Sequence, residues 1–151
     1  MKKILAILLI LCLLPAWALT EKAWILCNPK SYVTCRRSPI KGALLLGRYD
    51  CGDPVETTGK EKNGFVQVET CFEMGLGWVY AGYIVYDEPV EVNEKRVITS
   101  NARVLARRWV NGPVKKRLKN MTEIFVYWES PTWAYTSKGY IKTELTGDYD
   151  P

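Results

Sequence analysis

The residues with the widest chemical range in this sequence are four of its five cysteines, Cys27, Cys35, Cys51 and Cys71, the fifth, Cys12, lying in the apolar leader. A thiolate can attack a carbonyl, ligate zinc or join a disulfide. Attack needs a base, and the chain of 151 residues contains no histidine. That removes Cys-His and Ser-His-Asp arrangements and the commonest metal ligand together. Zinc sites favour close Cys-x-x-Cys pairs, which this spacing lacks, so no metal and no cofactor is expected. Removal of the leader, and Cys12 with it, leaves an even number of cysteines, which in an exported chain fits two disulfides. Three pairings are open. Cys35 alternates with Val33 in a strand-like run and so points inward, and Cys27 with Cys51 and Cys35 with Cys71 is the pairing favoured.

Carboxylates offer less. Glycoside hydrolysis needs two carboxyls fixed across a cleft. Asp50 and Asp53 lie in a turn, and Asp148 and Asp150 in a tail, where solvated charge is the simpler reading. The chain is therefore expected not to be an enzyme.

Recognition chemistry is better supplied. Large aromatics are many for so short a chain, among them Trp24, Phe65, Trp109, Tyr127 and Tyr140. Strand alternation sends successive side chains to opposite faces, so Trp78 and Tyr80 share one face while Val79 takes the other. Tyr127 likewise opposes Trp128. Exposed aromatics on a small sheet suit sugar or peptide recognition. Trp78, Tyr80, Tyr83, Trp128, Trp133 and Tyr135 are the aromatic binding candidates, against the alternative that small β units need large core residues. The net charge is +5, with acids in excess up to Glu94 and bases from Lys95 onward. Arg107 and Arg108 are the cationic binding candidates. They belong to a basic set with Arg103, Lys115, Lys116, Arg117 and Lys119 that would attract an anionic polymer. The alternative is a solvated charged face.

These residues are carried by short strands. Residues 1–18 have a basic start, an apolar run from Ile4 to Leu14 and small residues at Ala16 and Ala18, the parts of a secretory signal peptide. The run is shorter than the ~20 residues that span a bilayer. A lipid anchor at Cys12 is disfavoured by the preceding Leu11. The mature protein is expected outside the cytoplasm, secreted or periplasmic, with no transmembrane segment and no nucleic-acid partner. Phe65 to Val68 and Gly77 to Tyr80 read as two strands, and Asn63-Gly64 is a hairpin signal. Trp133 to Thr136 and Gly139 to Ile141 echo them. Val33-x-Cys35-Arg36-Arg37 similarly aligns with Val104-x-Ala106-Arg107-Arg108. No sustained helical period follows the leader. The expected organisation is a first unit over 23–86, an acidic linker over 87–95, a second unit over 96–146 and a tail over 147–151.

In this order the motifs resemble the bacterial SH3 (SH3b) family. Thr34-Cys35-Arg36-Arg37-Ser38-Pro39 stands where that family has Asn-Val-Arg-Ser-Gly-Pro. Gly52-Asp53-Pro54-Val55 is similar to its Gly-Asp-x-Val turn, and Gly77-Trp78-Val79 to its closing Gly-Trp-Val. Cys35 and Phe65 depart from the family's usual valine and tryptophan. The resemblance covers about 24–85 and, less fully, 97–145. It implies an all-β chain of two small, partly open SH3-like barrels in tandem. It also implies a non-catalytic binding module for cell-wall peptidoglycan peptide or another envelope component, and a monomer is expected. A docking or inhibitor module for another exported protein is the alternative. A small wall hydrolase comes third, since the missing histidine argues against it.

Overall fold

The computed structural model describes residues 20–70, 72, 75–106 and 114–149. The expected leader, Cys71, Arg107 and Arg108 lie outside the described residues. The described residues form two seven-stranded antiparallel sheets and no α-helix. The first sheet contains β1 (Glu21–Ile25), β2 (Val33–Arg36), β3 (Leu45–Tyr49), β4 (Pro54–Lys62), β5 (Phe65–Glu69), β6 (Leu76–Tyr80) and β7 (Ile84–Val85). The second contains β8 (Val90–Ile98), β9 (Ala102–Leu105), β10 (Val114–Leu118), β11 (Glu123–Glu129), β12 (Trp133–Thr136), β13 (Gly139–Lys142) and β14 (Thr146–Asp148). Strand orders are β3-β2-β6-β5-β4-β1-β7 and β10-β9-β13-β12-β11-β8-β14, the same topology twice. Each unit has a 3₁₀ turn before its last strand, Ala81–Tyr83 and Thr143–Leu145. The two edge strands of each sheet do not pair with each other, so neither sheet closes into a barrel.

Local sequence explains the elements. In β2, Val33 and Cys35 are buried and Thr34 and Arg36 half-buried, as alternation requires. Asn63 (φ 53°) and Gly64 (φ 77°) both take the left-handed conformation of a two-residue hairpin and set Lys62 opposite Phe65. Gly77 lies under β2: a Cβ there would stand 2.2 Å from Cys35 Sγ, so the close packing of the strands excludes a side chain.

Two expected boundaries move. Residues 87–95 are not a linker, because Val90–Ile98 form β8, which pairs with β11 along nearly its whole length. The alternating Val90 and Val92 carry a strand that the acidic composition disguised, and Asn93 (φ 53°) bends it. The expected tail likewise begins as β14, paired with β8 through Thr146↔Ile98 and Asp148↔Arg96.

The register also corrects the expected repeat. Arg36 stands opposite Trp78, and Leu105 opposite Tyr140. Trp78 and Tyr140 in turn face Gln67 and Tyr135. So Arg36 corresponds to Leu105, and Cys35 to Val104, two residues away from the motif alignment. The packing under the paired glycines agrees: Gly77 lies on Cys35, and Gly139 on Val104. Repeated arginines drew the motif alignment onto Arg107 and Arg108, whereas inward apolar side chains set the register.

Each sheet buries its own core. Ile25, Val33, Cys35, Val55, Val66, Val68 and Val79 fill the first. Ile98, Val104, Leu118, Ile124, Val126 and Ile141 fill the second. A third cluster joins the units: Leu26 and Val85 from the first pack with Leu105, Trp133 and Tyr140 from the second.

Candidate functional site

An aromatic concave site lies on the first unit. Phe65 starts β5 and faces Tyr80 at the end of β6. Their rings meet edge-on, with centroids 5.4 Å apart and planes at 90°. Tyr83, from the 3₁₀ turn, continues the row at 6.1 Å from Tyr80. The three rings floor a groove of about 410 Å³ whose walls include Thr34, Arg36, Pro39, Ile40, Lys41 and Asn63.

One wall is the loop after β2, and two side chains clamp it. Arg36 donates from a guanidinium nitrogen to the Ala43 carbonyl at 2.7 Å. Asn63, at the β4–β5 hairpin, donates from its amide to the Pro39 carbonyl at 3.1 Å. Arg36 and Lys41 supply two cations, and among the described residues no carboxylate lines the groove. Phe65 is 9% exposed and supports the half-buried Tyr80 and Tyr83 rings, which offer apolar surface to a sugar or peptide backbone, while the cations offer positive charge to a carboxylate or phosphate.

The sequence-derived candidates separate. Tyr80 and Tyr83 come together here. Trp78 is half-buried on the same face, directly opposite Arg36 and Gln67. Trp128, Trp133 and Tyr135 lie instead at the junction of the units. Trp133 is only 6% exposed, with the Lys142 ammonium 4.5 Å from its ring centre. The regular alternation expected through Tyr127 and Trp128 is interrupted by a register shift between Val126 and Trp128. Arg36, Lys41 and Phe65 were missed as site residues. Arg36 was legible in the motif itself, but Lys41 reaches the groove only through the fold of its loop.

The second unit has a counterpart groove of about 360 Å³. Register places Arg103 where Thr34 stands, Leu105 for Arg36, Trp133 for Phe65, Lys142 for Tyr80 and Leu145 for Tyr83. The aromatic floor has thus become one covered tryptophan between two cations.

Cys27 and Cys51 meet at the edge of the junction. Cys51 donates from its thiol to the Cys27 carbonyl at 3.1 Å, and Cys27 N–H lies 3.2 Å from Cys51 Sγ. Hydrogen bonding to Cys51, then burial, holds the Cys27 thiol far above its ordinary range; the same contact lowers that of Cys51. Both are thiols in this structure. Among the described residues no group of three His, Cys, Asp or Glu is placed to hold a metal ion, and no helix is long and apolar enough to cross a membrane.

No protein-family model matches the chain, and no curated protein matches it. Among solved structures it is similar to NlpC2 from Trichomonas vaginalis, with a TM-score of 0.35 and 12% identity over 89% of this chain. NlpC1 from the same organism gives a TM-score of 0.34 and 14% identity, again over 89%. The chain spans about half the length of these two, 50% and 48% respectively.

Proposed function

We propose that this chain is an exported, monomeric, non-catalytic binding module of the tandem SH3b type. Its aromatic groove takes a cell-wall peptide or another anionic component of the cell envelope. One observation carries this reading: Phe65, Tyr80 and Tyr83 form a contiguous ring floor beside Arg36 and Lys41. Stem-peptide backbones and sugars bury flat apolar faces against rings, and their carboxylates need cations. In an exported chain, Cys27 and Cys51 would be joined as a disulfide.

Retention on purified peptidoglycan at low salt tests the reading. The native chain should be retained, and Tyr80→Ala and Arg36→Gln should elute. Equal retention of all three would remove the groove from recognition.

A protein partner is the second reading, favoured by exposed apolar side chains beside the open β3 edge. Ile40 is 59% exposed, Leu44 62% and Leu45 42%. Such an edge can accept another strand or an apolar surface. Capture of an envelope protein that Leu44→Asp abolishes and Tyr80→Ala spares would favour it.

A further inference from the structure

The second unit carries an unbalanced positive site that the aromatic groove does not explain. β10 is an edge strand with a single neighbour, and Lys115, Lys116 and Arg117 are all exposed along it. Register sets Arg117 directly opposite Arg103 across the β9–β10 pair. Directly opposed side chains start about 5 Å apart at Cβ, and like charges there repel. Among the described residues neither arginine has a salt-bridge partner.

Both arginines line a hollow of about 530 Å³ with Asn101, Lys119 and Asn120, and among the described residues no carboxylate lines it. This hollow adjoins the counterpart groove, because Asn101 and Arg103 line both. The counterpart groove adds Lys142, and its one carboxylate, Glu144, is exposed at the 3₁₀ turn. Cations therefore run from Lys119 past Arg117 and Arg103 to Lys142.

We propose that these adjoining hollows bind a phosphate-bearing linear polyanion, with one phosphate held between Arg103 and Arg117. A tetrahedral phosphate accepts hydrogen bonds from two guanidinium forks on different sides, and binding one offsets the repulsion across the strand pair. Neighbouring phosphates of the same chain meet Lys119 and Lys142. Nucleic acid fits less well: among the described residues Trp133 is the aromatic lining the hollows, and Lys142 covers it, so it offers bases no open stacking face. A bilayer also fits less well. Met121, 70% exposed, is the large apolar side chain at this tip, and surface binding scales with the apolar area inserted. The proposal stands whether or not the aromatic groove binds cell-wall peptide.

The test is binding of the full chain to long-chain inorganic polyphosphate across a salt series. Parallel arms use single-stranded oligodeoxythymidylate and phosphatidylglycerol vesicles. Polyphosphate should bind, weakening linearly in log affinity against log salt. Arg103→Gln with Arg117→Gln should weaken it about tenfold or more and make the salt slope shallower by about 1.4, roughly 0.7 for each lost contact. Lys30→Gln with Lys60→Gln, exposed on the first unit, should change neither quantity. The proposal is overturned by no polyphosphate binding at low salt or by an unchanged slope in the double variant. It is equally overturned if the vesicles or the oligonucleotide bind more tightly than polyphosphate.

Discussion

Arg36 and Leu105 occupy one position of a duplicated sheet with opposite fates. Arg36 borders an open groove, while Leu105 is 5% exposed in the junction cluster. Exchanging their chemistry should separate binding from stability. Leu105→Arg puts an unpaired charge into an apolar cluster and should lower unfolding free energy by about 3 kcal/mol or more. Arg36→Leu should change stability by only about 0.5 kcal/mol, since the loss of its bond to the Ala43 carbonyl is offset by packing on the rings. Urea denaturation of both variants reads the difference, and equal losses would count against the register described above. Cys27 and Cys51 give a second test at this scale. Cys51 Sγ accepts from the Cys27 backbone N–H and donates to the Cys27 carbonyl, which brings together two residues 24 apart in sequence. Peptide mapping without reductant, after exposure to oxidised glutathione, should recover a Cys27–Cys51 linked peptide. Closing a loop of that length should raise stability by about 3 kcal/mol. Recovery of Cys51 linked only to Cys35 or Cys71 would refute the pairing.

At the scale of elements, the loop wall of the aromatic groove hangs on the β4–β5 hairpin. Asn63 holds a left-handed backbone conformation and bonds the Pro39 carbonyl. Asn63→Ala loses the bond and meets a left-handed penalty of about 1 kcal/mol. Melting should show a loss of about 1–2 kcal/mol with weaker retention on the groove's ligand, and Asn63→Gly should recover most of the stability. Retention unchanged in the alanine variant would free the groove from the hairpin. The hairpin was readable in advance because Asn-Gly dictates its own geometry. So was strand alternation in β2 and β6, where one face is buried. β8 was not, because its valines stand between acids and follow Pro89, and its pairing to β11 is a long-range choice. The edge of the sheet was equally opaque. Nothing local says that Lys115 to Arg117 lie on an edge strand or that Arg117 meets Arg103. Those facts come from the order of strands, which inward apolar side chains and loop lengths decide together.

At the scale of the molecule, a buried contact that includes a directed hydrogen bond holds the two units to each other. Tyr140 from β13 is 2% exposed and donates its hydroxyl to the Leu26 carbonyl of the first unit at 2.7 Å. Around that bond, Trp128 crosses close over Gly52, where a Cβ would stand 2.7 Å from the indole, and Leu105, Val85 and Trp133 exclude water. Burial, then the nearby Cys27, Tyr83, Tyr135 and Cys51, pushes the Tyr140 phenol well above its ordinary value of 10.0. A phenol raised in the folded state stays protonated there while the unfolded chain ionises. Its contribution is therefore complete below about pH 10 and is lost as pH rises through the folded value. Tyr140→Phe should cost about 1–3 kcal/mol at neutral pH, because it leaves the Leu26 carbonyl buried without a donor. That deficit should shrink above pH 10, where the native protein loses stability faster than the variant. Burial raises the Tyr135 phenol too, so a shallower alkaline limb should persist in the variant. Chemical denaturation at several pH values from 7 to 11 measures both limbs. Parallel curves for the two proteins would mean that the junction does not hold Tyr140 in its protonated, bonded state, and the units would then have to be joined by apolar packing alone.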